Sequence, residues 1–370
     1  MRKAVKIHKE DIEDVIALTP VQEGILYHYL KEPEGKLYHE ELRLCLTGKI
    51  NIPKFEEAWN YVTRENEMLR TIFRWEKVKQ PVQLILKKHT PKIMYSDGKV
   101  SNNTESFDLQ TVPFSIELCH LNEGEYEMVL RHHHILFDGW SNGIILQEFI
   151  EVYRELIKGE VPSSINKKKF KEYILWQQKQ DKSKQKLFWE QYLNELTEQI
   201  NLSNKNSNEL KKAKTYVKEI DKERSDRFRS FASNQGVTLA TLFYTAWGLL
   251  LQRYKNSEDV IFGTTVSGRS IPMHGLSEMV GLFINTPPLR VSADGRMTVS
   301  DLLQIIQSDV QRRTEYETTP IVDLNVSFDT IMVVENYPLD IEKLKEIDEG
   351  VRISGYEVNE MTNYDLTVSI

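Results

Sequence analysis

The sequence has few of the features that mark disulfide-rich, membrane-spanning or nucleic-acid-binding proteins. It contains only two cysteines, Cys45 and Cys119, which are too few for a disulfide framework in 370 residues. No apolar run approaches the length of a membrane span, and the charged start, Met1 to Val15, lacks the apolar core of a signal peptide. A net charge of −7 provides no basic face for nucleic acid. We therefore expect a cytoplasmic protein that binds no membrane and no nucleic acid, with both thiols buried in strands.

Several catalytic and cofactor-binding motifs are also missing from the sequence. It has no GxSxG nucleophile turn, no GxxxxGK[ST] phosphate loop and no GxGxxG after a strand, and neither HExxH nor CxxC occurs. These gaps weaken the alternatives of a nucleophilic hydrolase, a phosphate-binding site and a metal site. We expect no metal in the chain.

The chain has the composition of a globular protein and is long enough to form two hydrophobic cores. Apolar residues make up 40% and charged residues 28% of the chain, and 370 residues exceed one typical domain. The most polar stretch is Ser203 to Lys214, and we predict two lobes, residues 1–180 and 181–370. Both halves mix helical and strand patterns, which favours two α/β sandwiches. Elements of interest are strands at Phe114–Leu121, Tyr126–Ile135 and Thr215–Ile220, and helices capped by Ser141 and Thr238.

The most distinctive segment is RHHHILFDGW, from Arg131 to Trp140, which holds three of the nine histidines. Side chains alternate along a strand, so His132 and His134 share one face and His133 faces the other. A neutral imidazole at the end of a strand suits proton transfer near neutral pH. The segment therefore indicates an active site where the strand gives way to a helix.

Other interpretations of this segment stay open at this point. The histidines can be buried groups that are satisfied by the main chain. His132 and His134 can also chelate a metal, although no third ligand with recognisable spacing follows. Asp138 can orient a ring or pair with an arginine, and Gly139 permits a close backbone approach or a positive φ.

The residues His133 to Gly139 match HHxxxDG, the signature of the condensation-domain superfamily. Chloramphenicol acetyltransferase and plant acyltransferases carry similar HxxxD patterns, but further segments make the chain resemble condensation domains of nonribosomal peptide synthetases. In chain order these segments are Leu18–His28, Arg64–Phe73 (resembling RHExLRTxF), Phe170–Gln177 (YxDYxxWQ), Phe262–Arg269, Met279–Thr286 (VGxFVNT), Val334–Pro338 and Asn363–Leu366. They span nearly the whole chain, so the resemblance covers both predicted lobes.

The resemblance implies two chloramphenicol-acetyltransferase-like lobes, arranged as a V-shaped pseudo-dimer around a central tunnel. Residues 1–180 would carry HHxxxDG, and residues 181–370 would carry the latch and floor segments. It implies a cytoplasmic, monomeric amide-bond-forming acyltransferase of peptide antibiotic synthesis. Upstream donor and downstream acceptor peptidyl carrier proteins would bring substrates on 4'-phosphopantetheine arms, beside an adenylation domain, and the domain itself would bind no cofactor.

The resemblance also assigns roles to single residues. His134 would be the catalytic residue, as a base for the attacking amine or as its positioner, while His133 would serve mainly packing. Asp138 would be structural, and a backbone N–H near Gly139 would meet the oxyanion. The expected ion-pair partners of Asp138 are Arg269 and Arg70; residues expected along the tunnel are Trp140, Ser141 and Asn336, the last of which packing would also explain.

The sequence departs from the family pattern in three places. The part between the second motif and Phe107 is short, as is the stretch from Thr319 to Phe328. Family members also continue beyond the equivalent of Ile370, so we expect part of the second lobe to be absent. The competing functions are a non-catalytic domain that only docks carrier proteins or tailoring enzymes, an epimerisation-type relative, and a free-standing acyltransferase that uses coenzyme A thioesters.

Overall fold

The computed structural model describes residues 7–101, 106–196, 202, 214–334, 347, 350–359 and 362–370. These residues fall into two units. Unit 1 comprises the described parts of Met1–Gln180, Pro272–Phe283 and Asn336–Asn363, and unit 2 comprises those of Asp181–Ile271, Ile284–Glu335 and Tyr364–Ile370. The longest segment of unit 1 ends at Gln180, and two later segments also belong to unit 1. The division into lobes of residues 1–180 and 181–370 stays a prediction.

The helices and strands of the described residues are numbered in chain order. The strands are β1 (Ile12–Ala17), β2 (His39–Thr47), β3 (Thr71–Arg74), β4 (Val82–Leu86), β5 (Lys92–Asp97), β6 (Phe114–Asn122), β7 (Glu125–His133), β8 (Asp259–Thr264), β9 (Pro288–Ser292), β10 (Thr330–Val333), β11 (Arg352–Asn359) and β12 (Leu366–Ser369). The helices are α1 (Pro20–Lys31), α2 (Ile52–Glu65), α3 (Gly139–Ile157), α4 (Phe170–Gln178), α5 (Lys182–Tyr192), α6 (Lys222–Asn234), α7 (Leu239–Lys255) and α8 (Val299–Thr314). Short 3₁₀ helices cover Lys9–Asp11, Glu67–Arg70, Leu276–Glu278 and Ile321–Leu324.

Unit 1 is built on a five-stranded sheet with the order β11-β2-β7-β6-β5. Its pairs are antiparallel except β5 and β6, which run parallel. Helices α2 and α3 pack together, and their core is aromatic, with Trp59 stacked on Phe149 at 4.5 Å between ring centroids. A smaller antiparallel sheet has the order β1-β4-β3. Because β7 is paired on both sides, its C-terminal end is held firmly where the three histidines lie.

Unit 2 has a four-stranded sheet with the order β12-β10-β8-β9. Strand β10 is parallel to both neighbours, and β8 and β9 are antiparallel. Tyr244 on α7, Leu302 and Ile306 on α8, and Phe262 on β8 are buried in one core cluster. The mixed sheets and helices of both units confirm the predicted α/β class.

Several local predictions are confirmed and others are wrong. Thr238 caps α7, as predicted, through a bond from the N–H of Thr241. Cys119 is buried but Cys45 is exposed, because alternation along β2 turns its neighbours into the core and Cys45 away from it. The described residues form no strand at Thr215–Ile220, where β-prone side chains stand in solvent without a partner strand.

No helix among the described residues combines the length and the apolar character that crossing a membrane requires.

Candidate active site

The three histidines lie where β7 ends. His132 and His133 are its last residues and are buried, and His134 follows with 16% of its side chain exposed. The N–H of His134 donates to the carbonyl of Tyr38, 2.8 Å away. Tyr38 has a positive φ of 65°, a conformation that costs energy in a residue with a side chain. This strained residue precedes β2 and holds the backbone at the candidate catalytic histidine.

His132 and His134 meet the same carboxylate, as expected if they share one face. Glu40 on β2 is paired in register with His132 across the two strands. One oxygen of Glu40, Oε2, is 2.9 Å from Nε2 of His132, and the other, Oε1, contacts Nδ1 of His134. The sequence gives no signal for Glu40, because nothing local to β2 shows which residue of β7 it faces.

His133 points the other way, into an aromatic pocket. Its ring lies 5.9 Å from that of Tyr29, 6.2 Å from that of Tyr38 and 5.6 Å from that of His39. The N–H of Ile135 donates to its Nδ1 at 3.3 Å. Burial holds the pKa of His133 well below its usual range, and the neighbouring histidines lower it further. A neutral, enclosed ring fits the packing role that the sequence predicted.

Asp138 joins the turn after β7 to helix α3. It is buried and caps α3, with Oδ1 accepting from the N–H of Ser141 at 3.1 Å and from its hydroxyl at 2.9 Å. Its Oδ2 accepts from the N–H of Phe283 at 3.0 Å. The helix therefore begins at Gly139 under an Asp138 cap, and the prediction that Ser141 is the cap is wrong. Gly139 adopts helical geometry rather than a positive φ.

A second chain segment closes this turn from outside. The carbonyl of Gly281 accepts from the N–H of Asp138 at 3.2 Å, and its N–H donates to the hydroxyl of Ser141 at 3.1 Å. A Cβ at Gly281 would come within 2.5 Å of the ring of Phe170. The glycine of the VGxFVNT-like segment is therefore required for close backbone approach.

Arg70 and Arg269 are the two arginines expected to pair with Asp138. Arg70 pairs with Glu13 at 2.6 Å and donates to two backbone carbonyls, so Arg70 as the partner of Asp138 is wrong. Arg269 belongs to unit 2, and its pairing with Asp138 stays a prediction.

The three residues predicted along the tunnel differ in their contacts and burial. Trp140 donates from its indole N–H to the carbonyl of Ser277 at 3.2 Å. Ser141 is fully buried and therefore offers no surface to a substrate. Asn336 lies outside the described residues.

The fold supplies a third potential metal ligand that sequence spacing did not reveal. Ligand atoms of Glu40, His132 and His134 all lie within 4.8 Å of one another. Two ligands of one tetrahedral zinc ion stand about 3.3 Å apart. The 2.9 Å between Glu40 and His132 is instead a typical hydrogen-bond distance, so these side chains would have to separate to hold a metal.

Comparisons with known proteins agree with the motif. The condensation-domain family profile matches residues 12–370. The chain belongs to the condensation-domain family. It is 32% identical to tyrocidine synthase 2 of Brevibacillus parabrevis, covering 98% of the chain and 11% of that protein. It is also 32% identical to surfactin synthase subunit 3 of Bacillus subtilis (strain 168), covering 97% of the chain and 30% of that protein.

Solved structures show the same fold. The first condensation domain of the CDA synthetase superposes with a TM-score of 0.78 at 15% identity, covering 96% of the chain and 89% of that domain. A four-domain nonribosomal peptide synthetase superposes with a TM-score of 0.77 at 17% identity, covering 100% of the chain and 31% of that protein. The predicted identity, a condensation domain of the nonribosomal peptide synthetase type and hence an amide-bond-forming acyltransferase, is therefore confirmed. The domain spans less than a third of the two curated synthetases named above.

Proposed function

We propose that this condensation domain joins two carrier-bound acyl groups, and that His134 is its catalytic residue. The α-amine of an acceptor aminoacyl thioester attacks the carbonyl carbon of a donor thioester. The new C–N bond forms, the C–S bond breaks, and the proton lost by the amine ends on the departing thiolate. The observation that carries the proposal is the position of His134, at the end of β7 and beside a capped helix start.

His134 would accept the amine proton or hold the neutral amine in line. An α-amine has a pKa near about 7.7 to 8, so much of it is protonated at neutral pH and an imidazole is a suitable partner. Positioned general base catalysis contributes roughly 10²- to 10⁴-fold. Holding two tethered reactants together contributes further, because their encounter becomes intramolecular.

The start of α3 offers stabilisation of the oxyanion. Gly139 is the first helical residue, and backbone N–H groups in a first turn carry the positive end of the helix dipole. An N–H of this turn near Gly139 would meet the negative oxygen of the tetrahedral intermediate. Asp138 would support this geometry by fixing the turn.

The partners follow from the reaction and from the multidomain relatives. Donor and acceptor carrier proteins would present the thioesters on phosphopantetheine arms, and an adenylation domain would load the acceptor. We propose that the domain is monomeric and works in the cytoplasm, with Arg269 as the ion-pair partner of Asp138. The tunnel that would admit both arms stays a prediction.

The test is a single-turnover condensation assay. Two carrier proteins are loaded with a donor and an acceptor aminoacyl group, and dipeptidyl carrier is followed by intact-protein mass spectrometry. We expect His134→Ala to lower the rate by about 10²- to 10⁴-fold. His120→Ala is the matched control, because His120 lies on β6 of the same sheet with 46% of its side chain exposed, and it should leave the rate unchanged.

Two outcomes would contradict the proposal. Absence of product from folded wild-type protein with several carrier pairs would favour a docking domain. Equal turnover with free coenzyme A thioesters as donors would favour a free-standing acyltransferase.

A further inference from the structure

Glu40 is a buried carboxylate without a role in the mechanism so far. It lies on β2, an interior strand of the main sheet, and is 6% exposed. The register pairs it with His132, and its two oxygens contact His132 and His134. Burial of a carboxylate costs free energy unless the group is paired. The contacts with His132 and His134 therefore explain why Glu40 is tolerated in the interior of the sheet.

We propose that Glu40 is a positioning residue that fixes the ring of His134 with its proton on Nδ1, so that Nε2 takes the amine proton. This inference rests on the proposed function, since it specifies how His134 acts. A carboxylate accepts hydrogen bonds and cannot donate one when ionised. Contact with Glu40 therefore selects the tautomer in which Nδ1 carries the hydrogen, and proton transfer falls to Nε2.

His132 serves as the anchor that keeps Glu40 in place. Its ring is fully buried and stacks on Phe137, with 3.9 Å between the centroids and an angle of 20° between the planes. Nε2 of this fixed ring holds one oxygen of Glu40 at 2.9 Å. The other oxygen is thereby directed at His134, which explains why two histidines on one face of the strand are useful where only one reacts.

The electrostatic surroundings keep Glu40 ionised. Burial raises its pKa, but the adjacent His134 and His132 outweigh this, so the pKa of Glu40 lies well below its usual range. Burial also lowers the pKa of His39 to about 4, with help from Lys36 and His132, so the His39 ring is neutral at pH 7. Titratable groups recorded close to His134 are Glu40, Tyr38, His132 and His133.

The variant Glu40→Gln tests this role. A glutamine has one carbonyl oxygen for two histidines, so its NH₂ group must face one of them. If it faces His134, Nδ1 must accept, the hydrogen moves to Nε2, and the ring cannot take the amine proton. We expect kcat to fall by about 10- to 100-fold with KM for both carriers unchanged, a smaller loss than removal of His134 causes.

The matched control is Glu41→Gln, one residue along the same strand. Glu41 faces the other side of the sheet and pairs with Arg43 and Arg131, each at 2.6 Å. The variant Glu41→Gln therefore weakens a partly buried ionic contact on the same strand, but the changed side chain does not contact His134. We expect it to keep the wild-type kcat.

A spectroscopic readout separates positioning from stability. In wild-type protein labelled with ¹⁵N-histidine, the neutral ring of His134, assigned by its loss in His134→Ala, should carry its hydrogen on Nδ1. In Glu40→Gln, the titration midpoint of His134 should fall by about one pH unit or more, because a nearby carboxylate favours the charged imidazole. All assays contain a chelator of divalent metals.

Two results would overturn the inference while wild-type protein is active in the chelator. These are an Nε2–H tautomer in wild type, and an unchanged titration of His134 together with unchanged kcat in folded Glu40→Gln. Wild-type activity that is lost in the chelator and restored by zinc would also overturn it, because His134 would then be a metal ligand. Wild-type protein that stays inactive with or without zinc would instead refute the proposed function itself, so the two failures are distinguishable.

Discussion

Replacing Asp138 by alanine should cost stability as well as activity. The carboxylate accepts three bonds, from the N–H and hydroxyl of Ser141 and from the N–H of Phe283. Loss of a helix cap costs about 0.5–2 kcal/mol, and a buried N–H left without an acceptor costs about 1–3 kcal/mol. With the hydroxyl bond, which contributes about 0.5–1.5 kcal/mol, Asp138→Ala should lower the free energy of unfolding by about 2–6 kcal/mol.

The prediction is checked by thermal and denaturant unfolding. A loss of 1 kcal/mol corresponds to about 2–4 °C in a domain of 150–250 residues, so the unfolding transition of unit 1 should fall by roughly 4–24 °C. The matched control is Asn51→Ala, which removes an exposed cap of α2 whose oxygen accepts one bond from Lys54 at 3.2 Å. This control should cost about 1 kcal/mol.

The loss of unfolding free energy in Asp138→Asn should lie between those of Asp138→Ala and Asn51→Ala. Its carbonyl oxygen can still cap α3, but its amide group would meet the N–H of Phe283, at a cost of about 1–3 kcal/mol. If Asp138→Ala unfolds within 2 °C of wild type (about 1 kcal/mol or less), the carboxylate is not the structural centre of the turn.

Further predictions concern two glycines and a buried acid. Gly281→Ala should destabilise by about 1–3 kcal/mol, because the new Cβ meets the ring of Phe170. Gly24→Ala should stabilise by about 0.5–1 kcal/mol, because it lies in α1 with open space around it, and equal denaturation midpoints would contradict both. Burial raises the pKa of Glu317 from 4.5 to about 7, so the folded protein binds a proton that the unfolded chain has lost. Stability should therefore fall by about 3 kcal/mol as the pH rises from about 4.5 past 7, and Glu317→Gln should remove this slope in pH-dependent unfolding.

Periodicity and motif spacing predicted much of the local structure around the site. The strand predicted at Tyr126–Ile135 is found as Glu125–His133, and the shared face of His132 and His134 follows from strand alternation. The sequence pattern does not separate Asp138 from Ser141 as the cap, because both residue types cap helices and the two residues lie within one turn.

The contacts that complete the site could not be predicted in the same way. Glu40 reaches His132 through the register of β2 against β7, and a register depends on the whole sheet rather than on either strand. Gly281 and Phe283 reach Asp138 from a segment far along the chain. A single sequence contains no signal for such pairings, even where the motif itself is plain.

The spacing of HHxxxDG has a physical explanation in this fold. Ile135, Leu136 and Phe137 separate His134 from the capping carboxylate of Asp138, and all three are fully buried. The N–H of Leu136 donates to the carbonyl of His133 at 3.0 Å, which closes the turn directly after the strand. Asp138 then begins the helix, so the three buried residues set the distance between the ring of His134 and the first turn of α3. One more or one fewer residue here would move the histidine away from the N–H groups proposed to meet the oxyanion, even with every catalytic side chain retained.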